Sequence, residues 1–314
     1  MISAFFYSCS NDLDINAPKK EIIIVYGLLD ANDSVHYIKV NKGFISKDKN
    51  AVEMAQDINN LFLKNVKVEL FGPGSEYYLF ALDSSIQKDS GVFANERNYL
   101  FSVAAKLKLG VKYQLKVTNL DNNEVAEAET FLVANPIPAT PTGVLINSFQ
   151  IEPEKDFLIR YKAGSGAVLY DLVVNMFYDE IDRNTQIVRR DTMRWQLTSG
   201  TFSTFGEINL RTKGQAFYDE VARRIEQMPA NIERKPIALE LEYWSGDLEL
   251  STYKNAYGGS LGVVQNKTDY TNIKNGYGLF ASRNLYKITG TLFPNQIRLE
   301  LKTNPQTAKL NFVN

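Results

Sequence analysis

The sequence predicts a mainly β protein built as two tandem β-sandwich domains of immunoglobulin- or fibronectin-like type, the second carrying one covering α-helix. Three observations predict it. Tyr and Phe are abundant, 17 and 18 of 314 residues, and β-branched residues recur at alternating positions, as pleated, half-buried strands require. The alternating runs are short and separated by turn-forming residues. A proline-rich stretch near the middle divides a length that suits about two domains.

The first domain spans residues 21–134, after a tether. Its strands read IIIVYGLL from Ile22, SVHYIKVNK from Ser34, VKVELFG from Val66, NYLFSVAA from Asn98, VKYQLKV from Val111 and EVAEAETFLV from Glu124. Asn32-Asp33, Gly72-Pro73-Gly74 and Asp121-Asn122-Asn123 supply the φ values and local hydrogen bonds that reverse the chain between them. From Leu107 to Val117 a turn glycine, Gly110, leads into an alternating Tyr113, Leu115, Val117 face. It resembles the sixth-strand signature of immunoglobulin-like modules, whose Tyr packs at a corner. Between Ser46 and Asn65 the rhythm breaks, and Asn50-Ala51-Val52-Glu53 has the capping-box spacing of a short helix through Gln56 on a surface excursion.

Residues 135–141 carry Pro136, Pro138 and Pro141, which favours an extended connector over strand or helix. The second domain, 142–314, continues with FLIRYK from Phe157, VLYDLVVNMFYDEI from Val168, TQIVRRDTMRWQL from Thr185, and IALELEYWSGDLEL from Ile237 with a turn at Gly246. Gly164-Ser165-Gly166 precedes a strand and so reads as a tight turn, since a phosphate loop opens a helix. A helix over 213–228 is specified by a Thr212 cap, the stripe Phe217, Val221, Ala222, Ile225, Met228, and Pro229 as terminator. Around 295–303, Ile297, Leu299 and Leu301 fit a strand and Ile297 with Leu301 a helix face, so both readings stand.

Composition excludes more functions than it suggests. Lys and Arg total 35 against 36 Asp and Glu, so no net field draws nucleic acid or an anionic surface. With one cysteine and one histidine, neither an internal disulfide nor a Cys/His zinc site can form within the chain. His36 sits in an alternating run and reads as an ordinary strand residue. No cofactor or metal is expected. Asp179-Glu180-Asp182 and Asp247-Glu249 lack the spacing of calcium loops; the first reads as a solvated turn, the second as an outer strand face.

Residues 1–20 read as a lipoprotein signal remnant and tether. MISAFFYS is a short apolar run ending in small residues before Cys9, and polar SNDLDINAPKK follows. The basic front half of such a signal is missing, so the start codon is expected upstream. Cys9 is the expected lipidation site, and Ser10 after it favours the outer membrane over inner-membrane retention.

Several stretches resemble an uncharacterised family of Bacteroidota lipoproteins often found beside TonB-dependent transporters. They are Ile24 to Asp30 with Asn32 to Tyr37, Gly110 to Val117, Val264-Gln265, and above all Tyr270-Thr271-Asn272-Ile273-Lys274-Asn275-Gly276-Tyr277-Gly278-Leu279-Phe280. The resemblance implies lipidation of Cys9 and no known activity. Asn275-Gly276 is the strongest hairpin signal in the chain. Alternatively, Asn272, Asn275 and Tyr277 present two amides and a ring to a ligand. The favoured function is a non-enzymatic binding or accessory module held to the bilayer through acylated Cys9, partnering a TonB-dependent transporter or another envelope protein. A hydrolase using acidic residues, glycoside-acting or other, and a purely structural surface protein are the alternatives.

Overall fold

The computed structural model describes residues 22–30, 32–43, 61–87, 98–203, 206–257 and 270–313. Cys9, Val264-Gln265 and the helix expected at 50–56 lie outside them. The first half of the chain supplies β1 (Ile22–Asp30), β2 (Val35–Gly43), β3 (Val66–Phe71), β4 (Tyr77–Asp83), β5 (Leu100–Ala104), β6 (Val111–Asn119) and β7 (Val125–Leu132). Their alternation puts Val25, Ile38, Val40, Val68, Leu70, Leu115 and Val117 into one buried core while Lys67, Gln114 and Glu127 face outward. Tyr113 is fully buried and its hydroxyl accepts the Lys108 N–H at 2.8 Å, five residues upstream; this is the expected corner. The sequence does not announce β4, because it changes partners. Residues through Phe80 pair with β3 and Ala81 to Asp83 pair with β5, so no single face is apolar along its length.

The remaining elements are β8 (Ile137–Thr140), β9 (Asp156–Lys162), β10 (Leu169–Asp182), β11 (Val188–Phe202), β12 (Glu207–Lys213), α1 (Gln215–Arg224), β13 (Ile232–Gly246), α2 (Leu248–Tyr257), β14 (Tyr277–Thr289) and α3 (Asn295–Thr303). One sheet runs β11-β10-β13-β14-β1-β2-β5-β4-β3-β6-β7, and a three-stranded sheet runs β12-β9-β8. The second core fills the space between the β10, β11, β13, β14 sector and that small sheet, with Tyr161 edge-on to Tyr170 and Tyr243 at its centre. The protein is mainly β, in two sandwich-like units.

Several expectations need correction. The stretch 135–141 contains a strand, β8, paired with β9; its prolines are tolerated because β8 is an edge strand, where a missing N–H costs no ladder bond. A later segment, through Ile273 and Phe280, returns to the first core. β14 pairs in parallel with β1 from Tyr277 to Arg283 and antiparallel with β13 from Arg283 to Thr289, so its first half sends Phe280 into the first core. Gly278 makes this crossing possible: its φ is +115°, and a Cβ there would stand 2.0 Å from the Val25 carbonyl oxygen. The helix expected over 213–228 is shorter. Lys213 still belongs to β12, Gly214 sits at the cap, and Ile225 is already extended. The Asp247-Leu248-Glu249-Leu250 alternation is helical, not an outer strand face: Asp247 Oδ1 accepts the Leu250 N–H at 2.9 Å and caps α2. The open choice at 295–303 resolves as α3, with Ile297 and Leu301 buried in the second core. Gly164 to Gly166 forms the expected turn, closed by Ala167 N–H to Gly164 C=O at 3.1 Å.

Candidate functional site

A polar seam joins the two cores where β14 changes partners. Ser282 and Asn284, both fully buried, point at β7 and the chain after it. Ser282 Oγ donates to the Phe131 carbonyl at 2.7 Å, and Asn284 Nδ2 donates to Asn135 Oδ1 at 2.6 Å and to the Val133 carbonyl at 3.3 Å. Beside them Asp247, 1% exposed, accepts a hydrogen bond from the Thr130 hydroxyl of β7. Burial, with no cationic partner among the described residues, pushes the Asp247 carboxyl up to about 6, against the lowering effect of the Thr130 and Leu250 hydrogen bonds. Buried polar groups this well satisfied hold two modules in one orientation.

Next to the seam, residues 272–274 lie along the outer edge of β7. Lys274 and Glu127 exchange both backbone hydrogen bonds, at 2.7 and 3.1 Å. Asn272 Oδ1 accepts the Phe280 N–H at 2.9 Å and its Nδ2 donates to the Phe280 carbonyl at 2.7 Å, so this amide ties the two ends of the loop together. Asn275 holds a left-handed φ of 57°, as the turn reading requires. The turn is not a hairpin, however, because Lys274 pairs with β7 while Tyr277 onward pairs with β1. It carries the chain from the β7 edge to β1.

The strip at 272–274 forms one wall of a groove of about 330 Å³. Phe71 of β3 stands on the opposite side, with Gln114, Lys116, Glu127 and Glu129 between. The register explains the grouping: Phe71 lies opposite Gln114, which lies opposite Glu129, and in the next row Glu69 faces Lys116, which faces Glu127. Adjoining Phe71 is Tyr77, with ring centroids 5.5 Å apart. Its hydroxyl donates to Glu69 at 3.0 Å, which fixes the ring. Of the three residues singled out from sequence, Asn272 lines this groove; Asn275 and Tyr277 do not. Phe71, Gln114 and Lys116 escape sequence reading because nothing local distinguishes them from other outward strand residues.

The carboxylates singled out from sequence are engaged. Asp179 makes a two-pronged pair with Arg190, at 2.7 and 3.0 Å. Glu180 is not simply solvated: it meets Arg234, 1% exposed, at 2.7 and 2.9 Å, and Arg234 also donates to the Leu310 carbonyl. Glu249 accepts the Tyr270 hydroxyl. A further pair, Glu240 and Glu242, lies on the outer face of β13 and is bridged by Lys287 at 3.3 and 2.8 Å. Burial raises the Glu242 carboxyl, but hydrogen bonds from Lys287, Arg194 and Trp244 outweigh it and hold it at about 2. A group so acidic is a poor proton donor at neutral pH. His36 is buried in β2 with Nε2 3.1 Å from the Ala105 carbonyl, a strand residue as expected. Among the described residues no cluster of three or more His, Cys, Asp or Glu is placed to hold a metal, and no helix is long and apolar enough to cross a membrane.

No family model matches the chain, and no curated protein matches it. Among solved structures it is similar to the C-terminal globular domain of an oligosaccharyltransferase from Pyrococcus abyssi, at 12% identity and a TM-score of 0.20 over 88% of this chain. The chain spans 48% of the length of that structure. A superposition this loose assigns no chemistry.

Proposed function

We infer that the protein is a membrane-anchored, non-enzymatic binding or accessory module, acylated at Cys9 and held at the outer membrane beside an envelope partner such as a TonB-dependent transporter. The observation that carries the binding reading is the groove between Phe71 and Asn272. Its walls are fixed by backbone pairing and by the Asn272 and Tyr77 hydrogen bonds, and the Gln114 side chain in it has no hydrogen-bond partner among the described residues. Pre-formed walls around a solvent-facing amide free of intramolecular bonds are what a recognition site needs. By contrast, Glu180 and Glu249, the carboxylates a hydrolase would draw on, are occupied by Arg234 and Tyr270.

The anchor rests on the position of Cys9, the single cysteine, at the end of an apolar run. Two or three acyl chains on that residue would give stable attachment. Metabolic labelling with palmitate should mark the full-length protein and leave Cys9→Ser unlabelled and soluble; an unlabelled wild type would overturn the address. Glycan and peptide hydrolysis by the Cys9→Ser protein should be at background. Turnover that disappears in Glu180→Gln or Glu249→Gln would replace the binding reading with an enzymatic one.

A further inference from the structure

We propose that the groove across β6 and β7 takes a neutral saccharide of one or two rings, a ligand class that rests on the binding reading above. Size, charge and the state of the neighbouring backbone each narrow the class. The volume of about 330 Å³ sits at the small end of the ~300–1,000 Å³ usual for small-molecule sites. Phe71 and Asn272 stand on opposite sides of two strands, which at ~4.8 Å between neighbours leaves a trough roughly 14 Å across. A folded protein does not enter such a space, and a sugar or two does.

Charge then selects a neutral occupant. Glu127 pairs with Lys274 and Glu129 with Lys112 beside the lining, which leaves Lys116 opposite Glu69, so an anion gains little net attraction. An extended peptide would have to add to the free side of β7, but that side is taken. Glu127 exchanges both backbone bonds with Lys274, the Glu129 carbonyl accepts Asn272 Nδ2 at 3.4 Å, and the Phe131 and Val133 carbonyls accept Ser282 Oγ and Asn284 Nδ2. Strand addition needs a row of open backbone groups.

The side chains supply what a sugar asks for. One face of a pyranose presents C–H groups, which favour the electron-rich face of an aromatic ring, and Phe71 and Tyr77 are 36% and 47% exposed at one flank. The ring's edge carries adjacent hydroxyls, each both donor and acceptor. The Gln114 amide offers one of each, and Lys116 and Glu127 extend the set in the neighbouring row.

The test is calorimetric titration of the full-length Cys9→Ser protein with cellotetraose, maltotetraose and mannotetraose, with tetragalacturonate as the anionic comparison. At least one neutral tetrasaccharide should bind. Phe71→Ala and Gln114→Ala should each weaken it about tenfold or more with an unchanged melting temperature; Gln114→Ala serves should the Phe71 variant fold poorly. Silence with all three neutral sugars, binding of tetragalacturonate alone, or affinities untouched by both substitutions would each overturn the proposal. Recovery of a stoichiometric envelope protein by the same chain, with the sugars silent, would leave the binding reading standing and remove only the ligand class; no partner of either kind would remove both.

Discussion

Replacing Asp247 by Asn should change how stability depends on pH, by an amount the structure sets. The Asp247 carboxyl is pushed up to about 6 from an ordinary 3.8 by burial. Between those values the folded protein holds a proton that the unfolded chain has released, so stability falls as pH rises. The contribution is fully present below the unfolded value and lost as pH passes through about 6. The shift of about two units corresponds to about 3 kcal/mol at 1.36 kcal/mol per unit. Asn keeps the shape, still caps α2 through its Oδ1, and can donate Nδ2–H to Thr130, but it does not titrate. Urea unfolding of both proteins from pH 4 to 7.5, followed by Trp195 and Trp244 fluorescence, measures the difference while other titrating groups cancel. The Asp247→Asn protein should gain about 2 kcal/mol relative to wild type across this range, mostly below pH 6.5, the rest of the full effect lying below pH 4. A difference that stays constant with pH, or changes in the opposite direction, would refute the claim that the seam buries a carboxyl without a cation.

Three further outcomes follow from single contacts. Arg234→Met strands Glu180 and the Leu310 carbonyl and should cost about 3–5 kcal/mol in urea unfolding, whereas adding Glu180→Leu should return much of it. Asn272→Ala removes both side-chain bonds to Phe280 and should lower stability by about 2 kcal/mol; lost binding at unchanged stability would instead make Asn272 a ligand contact. Gly278→Ala drives a methyl into the Val25 carbonyl at a left-handed φ and should cost on the order of 3 kcal/mol or more, visible as a lower melting temperature and reduced soluble yield.

Much of the fold is legible in the chain because a strand with one wet and one dry face writes a period of two. β1, β2, β6, β7 and β9 show it, as does the Tyr113 corner, whose partner Lys108 is only five residues away. Where a strand is dry on both sides or changes partners the period fails: β4 turns from β3 to β5, and β14 serves two partners in succession. Asp247-Leu248-Glu249-Leu250 alternates like a strand, yet the Asp247 cap and packing on β14 make it a helix. Local pattern could not anticipate a contact made across the fold.

By itself, then, the sequence determined the β class, the turn positions and the exclusion of Cys/His metal chemistry, all properties of neighbouring residues or of composition. Tertiary structure alone decided that the two units share β14, that Asp247 lies buried between them, and that Phe71, Gln114, Glu129 and Asn272 border one groove. Those residues come from distant parts of the chain, and only strand register, which depends on the whole sheet, brings them within reach of one ligand.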